Sequence, residues 1–397
     1  MWRGCGGVCI ILAMKTATGR DNMKTLAKLV SMACSLALPL VLSASTWYVD
    51  DDNYNEAYSD AAAYIAAGFD GTTETKAFGT IQAAVDAETT LAGDTIIVLP
   101  GVYDKGGKEL TWNSGGSTAG FCRVAPLKNN LVIRSRDGGA KGAAETHIVG
   151  QKAATDSGNG DGAIRCFGTR NTWGIQLRGF TLRNGATASS YSGDSQYSKI
   201  HGGAVLVVGA STDYPMYVLD CVITNCSGRY SVVRYGTICR SFIADNLIGN
   251  DGSIGSGTQF YSCIFTRNYG SSASVLGSTS RAVHCTIVGN QTKYAATSSD
   301  YLYNSIVSLS HNSYFSEFSG TPTHAAANVT ATANGNYQTI APLVDDYRVL
   351  AGAADIFAKH GEIAAKMKSA SGTGPSDYFV QVALETRRRT ESKNMTE

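Results

Sequence analysis

The sequence predicts an all-β solenoid, a right-handed parallel β-helix whose single chain winds through coils of about 20–22 residues. Three observations predict it: a segment recurring at a fixed period, a file of small residues beside a file of large apolar ones, and asparagines recurring in register. The recurring segments are DCVITNC (220–226), RSFIADN (240–246), SCIFTRN (262–268), HCTIVGN (284–290) and NSIVSLS (304–310), with starts 20, 22, 22 and 20 residues apart. An earlier copy, RGFTLRN (178–184), lies 42 residues before the first, read as two periods. Gly-rich apolar stretches such as HGGAVLVVG (201–209) supply the other strands of each coil.

Stacking the copies gives one column of Cys221, Ser241, Cys263, Cys285 and Ser305. Two residues on, the column is Ile223, Ile243, Phe265, Ile287 and Val307. Alternation along a strand puts both on one face, and a narrow coil interior needs small beside large. The cysteines then read as buried small residues, with a disulfide between neighbouring coils as the alternative. Asn246, Asn268 and Asn290 end the segments in register, where stacked amides can hydrogen-bond from coil to coil. Asn184 and Asn225 come one residue early, which a bulge or altered turn would explain.

Composition agrees. Of 397 residues, 44 are glycine and 7 proline, which suits short strands and tight turns. Charged residues are 16 % and the net charge is +1, too weak a field to recruit nucleic acid. At the N-terminus, Met23, Lys24 and Lys28 precede an apolar run over 29–42 and then Ser43, Ala44 and Ser45. That is an export signal covering 1–45, with Met23 as a second start site; an uncleaved anchor is the alternative. The expected product is secreted, periplasmic or at the cell surface, monomeric and without a membrane span. The division that follows is 46–94 as an N-terminal strand and cap, with a cap helix over 79–87 before a strand at 95–99. The β-helix then spans 95–356, and 357–397 forms a helix and basic tail around Arg387, Arg388 and Arg389.

WYVDDDN (47–53), DGTTETKAFGTIQAAVD (70–86), GDTIIVLPGVY (93–103) and GFTLRN (179–184) resemble the opening of pectin-lyase-like β-helix proteins. DYRVLAGAADI (346–356) resembles the terminal segment of bacterial secreted members, although the sequence departs from that pattern after Asp355. The resemblance implies the fold. It leaves function among polysaccharide lyases, glycoside hydrolases, epimerases and non-catalytic surface proteins.

A uronate lyase needs a cation such as Ca²⁺ against the substrate carboxylate and a base for the adjacent proton. Arg240 and Arg267 are the candidate bases or carboxylate clamps, and Asp220 and Asp245 the candidate Ca²⁺ ligands. The competing reading is a surface ladder in which Asp220 neighbours Arg240 and Asp245 neighbours Arg267. Lys199 and His201 form a second candidate pair, on one strand face if the strand begins that early. Tyr191 and Tyr197, on the long loop 186–199, are candidates for stacking on sugars. Asp50, Asp51 and Asp52 read as a cap turn, and SGNGDG (157–162) as a turn cluster that lacks the closing Glu of a calcium loop. The functional expectation is an exported protein that binds or cleaves an extracellular acidic polysaccharide. Its rival is a non-catalytic adhesion protein.

Overall fold

In the computed structural model, the chain climbs through stacked coils, most of which contribute short strands to each of three sheets. The described residues are 44–308, apart from 112–117, 191–198, 209–215, 250–251, 278, 289, 295, 298–300 and 304; beyond 308 they are four two-residue strands. The proposed signal region up to residue 43 and the tail 357–397 lie outside them. From Ser45 onward they belong to one compact unit.

The first sheet stacks Thr46–Val49, Thr95–Val98, Val132–Ser135, Ile175–Arg178, Met216–Leu219, Thr237–Cys239, Gln259–Tyr261, Arg281–Val283 and Tyr301–Tyr303 in chain order. Every pairing in it is parallel. The second sheet follows it coil by coil, from Gly101–Tyr103 through Val222–Thr224, Phe242–Ala244 and Ile264–Thr266 to Ile306–Ser308 and Tyr337–Gln338. The third runs alongside and includes Ile164–Arg170, Val205–Val208, Ser231–Arg234 and Ser253–Ser256. Parallel neighbours joined by whole turns of chain make this a right-handed parallel β-helix, the architecture that the resemblance implied.

The interior is built of side-chain files. In the first sheet Trp47, Ile96, Ile133, Leu177, Val218, Ile238, Phe260, Ala282 and Leu302 are mutual register partners, all buried. In the second, Tyr103, Ile148, Leu182, Ile223, Ile243, Phe265 and Ile287 form the equivalent buried file, and Val307 pairs with Ile287. The predicted large column is therefore real and lies within the core.

The period differs from the sequence reading at its start. Along the first-sheet file, the steps from Trp47 to Ile96, Ile133, Leu177 and Val218 are all far longer than the repeat. Only from Val218 through Ile238, Phe260 and Ala282 to Leu302 does the spacing settle to that of the recurring segments. Thr181–Arg183 pairs directly with Val222–Thr224. The stretch from RGFTLRN to DCVITNC is thus one coil, not two. Excursions lengthen the early coils without disturbing the stack. One leaves and returns where the Ala188 N–H donates to the Lys199 carbonyl at 3.0 Å.

The asparagine register also resolves without a bulge. Pairing is unbroken through Arg183, Thr224, Ala244 and Thr266. Asn184 (φ 60°), Asn225 (51°), Asp245 (59°) and Arg267 (51°) share the left-handed bend position that follows the second sheet. Asn246, Asn268 and Asn290 occupy the next position, which points inward and is buried. There the Asn268 amide donates to Asn290 Oδ1 at 2.8 Å, and Asn246 to Asn268 Oδ1 at 2.9 Å. The same oxygens accept backbone N–H groups of the preceding coil, from Asn268 (3.1 Å), Asn246 (3.1 Å) and Cys226 (2.9 Å).

The small column does equivalent work at the other bend, between first and second sheets. Asp220 (56°), Arg240 (49°), Ser262 (54°) and His284 (56°) take the left-handed position there. The next residues, Cys221, Ser241, Cys263 and Cys285, are buried, and each donates to the carbonyl two residues back, at 2.9–3.4 Å. Ser241 Oγ accepts the Cys221 N–H (3.2 Å), and Ser305 Oγ accepts that of Cys285 (3.1 Å). Thiol and hydroxyl serve the same purpose, which is why Cys and Ser alternate in the column. All seven described cysteines are free thiols.

At the N-terminal end a helix forms over Ile81–Asp86, with Thr80 Oγ1 accepting the Ala83 N–H at 3.1 Å as its N-cap. Its buried Gln82 accepts the Ala125 N–H at 2.7 Å, fastening the helix to the third sheet. Thr46–Val49 is itself the first rung of the first sheet, paired with Thr95–Val98. Among the described residues no helix is long and apolar enough to cross a membrane.

Replacing Asn268 by Ala strands the buried Asn246 N–H, at a cost of about 1–3 kcal/mol. Urea denaturation is expected to show a loss in that range, far larger than for the exposed Lys141→Ala.

Candidate functional site

Strand alternation turns every residue beside the first-sheet core file outward. Two outward files result. One runs Gln176, Tyr217, Thr237, Gln259 and Arg281; the other runs Arg134, Arg178, Leu219, Cys239, Tyr261 and Val283. Arg134 and Arg178 are direct register partners on adjacent coils, about 4.8 Å apart along the backbone. The Tyr261 hydroxyl donates to Gln259 Oε1 at 3.0 Å. Neither file contains an aspartate or glutamate. Across the described strands of the three sheets the acidic residue is Glu109, while arginine recurs at 123, 134, 165, 170, 178, 183, 234 and 281.

Carboxylates appear at the bends bordering the second sheet. Arg240 grips Asp220 through two bonds, Nε to Oδ1 at 2.7 Å and Nη2 to Oδ2 at 2.9 Å. Arg178 Nε reaches Oδ2 of the same aspartate at 3.1 Å. Asp220 is 15 % exposed and Arg178 50 %. One carboxylate thus holds two guanidiniums at the edge of the outward face, leaving a positive charge in excess. At the opposite bend Arg267 holds Asp245 by two bonds of 2.7 Å. The structure therefore brings together Asp220 with Arg240 and Asp245 with Arg267, as ion pairs at bends and not along strands. A Ca²⁺ ion at either aspartate would have to displace a guanidinium from both oxygens. Asp50, Asp51 and Asp52 converge within 4.8 Å. Two of them cap backbone, Asp50 accepting from the Asp52 N–H (3.2 Å) and Asp51 from that of Val102 (2.7 Å).

Lys199 and His201 do not share a strand face. The strand begins at Val205, and Gly202 (φ 71°) turns the chain before it. Lys199 is half-buried and His201 fully buried; their carbonyls accept from the buried Arg165, at 2.7 and 2.8 Å. The His201 ring packs on Tyr230 and contacts Ser231 Oγ at 2.9 Å and Arg234 Nη1 at 2.8 Å. Burial first, then Arg234 and Arg165, drive its pKa down to about 2. It is a neutral core residue beside two cations. Tyr191 and Tyr197 lie outside the described residues. The 157–162 segment is a turn: Asn159 is buried, accepting from Thr187 Oγ1 (2.9 Å) and donating to Ser227 Oγ (2.8 Å).

Sequence reasoning missed the outward files of the first sheet. The signal was present in one-residue offsets from Ile133, Leu177, Val218 and Phe260, but unequal early coils kept those residues from aligning.

No protein-family model matches the sequence. No curated protein matches it either. Among solved structures, it is similar to pectin methylesterase PemA from Erwinia chrysanthemi, with 16% identity over 74% of this chain and 94% of that one, at a TM-score of 0.38. A pectin methylesterase mutant in complex with hexasaccharide IV gives 14% identity over 81% and 97%, also at 0.38. The GH136 lacto-N-biosidase from Eubacterium ramulus gives 8% identity over 82% and 71%, at 0.22. The parallel β-helix rests on the strand pairing within this chain.

The His201 environment makes a pH prediction. Its folded pKa lies below the unfolded value of about 6.5, so below that pH the unfolded chain takes up a proton that the folded chain refuses. The destabilisation grows by about 1.4 kcal/mol per pH unit as pH falls from 6.5 toward 2. Chemical denaturation of wild type and His201→Gln from pH 7 to pH 4 should show this increment in wild type and its absence in the variant.

Proposed function

We propose that this chain is an exported protein that binds an acidic polysaccharide along the outward face of its first sheet. The observation that carries the reading is the alignment of Arg134 with Arg178, beside an Asp220 that two arginines share. Guanidinium forks recognise carboxylates in two-bond geometry. The same files offer Gln176, Gln259, Tyr217 and Tyr261, whose amides and hydroxyls suit sugar hydroxyl groups. With a net charge of +1 on the whole chain, attraction would be local to this face.

Binding is favoured over cleavage by where the carboxylates stand. A glycoside hydrolase needs two of them flanking the scissile bond, and neither outward file has any. A lyase would need a base, and an arginine held by both carboxylate oxygens stays protonated. Ca²⁺-assisted β-elimination is therefore the alternative and not the leading reading.

Affinity electrophoresis in gels containing polygalacturonate or alginate should retard the protein, with a neutral glucan having no effect. Arg178→Ala is expected to weaken retention about tenfold, the loss of one charge-assisted contact, and to flatten its salt dependence. Retention should persist in a calcium chelator. Ultraviolet absorbance of unsaturated uronate, appearing only with calcium, would instead establish the lyase. Retention equal in neutral and acidic gels would overturn the acidic preference.

Asp220→Asn keeps a residue tolerant of the left-handed bend while releasing both arginines. It should cost of order 1 kcal/mol in stability and tighten binding to polygalacturonate, read by denaturation and by retardation respectively.

A further inference from the structure

Three successive bends that feed the first sheet stack on one another, and each presents a large apolar side chain to solvent. Leu91 is 47 % exposed, Leu127 48 % and Trp173 44 %. Single exposed apolar residues are ordinary; one on each of three successive stacked bends is less so. The bends are tied together by backbone, Gly93 N–H to the Asn129 carbonyl (3.3 Å) and Asn130 N–H to the Trp173 carbonyl (2.8 Å).

Trp173 is the most firmly mounted of the three. Its own N–H donates to Asn129 Oδ1 at 3.1 Å. Asn171 (φ 49°) and Gly174 (72°) hold left-handed positions on either side of it. A side chain at Gly174 would collide with Asn130 Oδ1. Thr172 beside it is buried, and the Asn171 and Gln176 N–H groups bond to the Val208 (3.1 Å) and Leu131 (2.9 Å) carbonyls. The backbone is fixed while the indole is left in water. The strand that follows, Ile175–Arg178, turns Gln176 and Arg178 outward.

We infer that Trp173 is the sugar-stacking residue of this face, an inference that rests on the acidic-polysaccharide reading. A uronate ring has an apolar C–H face and a carboxylate edge. An indole takes the first; Arg178, five residues further along the chain, takes the carboxylate of another uronate of the same polysaccharide. Because its backbone is already ordered, Trp173 loses little freedom on binding. Leu91 and Leu127 extend the apolar strip toward the N-terminal coils.

The test titrates full-length protein with polygalacturonate oligosaccharides, following tryptophan fluorescence and affinity at several salt concentrations. Trp173→Ala should weaken binding roughly five- to tenfold, abolish the fluorescence change, and leave the salt slope and melting temperature as in wild type. Trp173→Phe should restore most of the affinity. Arg178→Ala should instead flatten the salt slope. If Trp173→Ala binds like wild type while Arg178→Ala does not, the stacking role is wrong and the glycan reading survives. If wild type binds no acidic oligosaccharide, both fall. Sedimentation that shows Trp173→Ala dissolving a dimer, with glycan affinity unchanged, would make the strip a self-association surface and overturn the assignment.

Discussion

In the described coils from Asp220 onward, where the chain passes from the first sheet to the second or leaves the second, one residue takes a left-handed conformation and the next turns its backbone N–H toward the interior. That group has no strand neighbour, and an unpaired buried N–H costs on the order of 1–3 kcal/mol. Here a side chain of the following coil answers it: Ser241 for Cys221, Ser305 for Cys285, Asn246 for Cys226, Asn268 for Asn246 and Asn290 for Asn268. Each bond runs along the solenoid axis, so each coil is fixed vertically on the one before it.

From that constraint the rest follows. A coil held at both corners cannot slip by one residue, since slippage would exchange buried and exposed faces. The regular stretches of the apolar files, from Val218 to Leu302 and from Ile223 to Ile287, are continuous for this reason. Excursions of very different length leave early coils without moving the strands that follow. In the earlier coils, backbone pairing between strands aligns Arg134 with Arg178 and stacks the bends carrying Leu91, Leu127 and Trp173. The stack that satisfies the backbone thus also organises the surface.

Charge follows the same geometry. Aspartate and asparagine tolerate left-handed φ better than most residues, so Asp220 and Asp245 sit where the backbone turns. A coil above or below supplies an arginine to each. The strands between keep their guanidiniums, amides and phenols without a carboxylate among them in the outward files. The result is a locally basic face on a chain of almost no net charge.

Where the coils are regular, sequence was enough. From Asp220 onward the short, even period exposed the small file, the large file, the amide ladder and the Asp–Arg neighbours, because each repeats through strict alternation on a fixed rung. The sequence by itself could not count the early coils, since insertions carry no periodic signal. The stretch from Arg178 to Asp220 passed for two turns where there is one. Nor could it tell that Asn184 and Asn225 belong to a different position from Asn246, or that His201 is enclosed with Arg165 and Arg234. These depend on which backbone groups face inward, and on neighbours brought from distant coils. Only the stacked structure decided which side chains share the outward face, because a residue's partner there lies a whole turn of chain away.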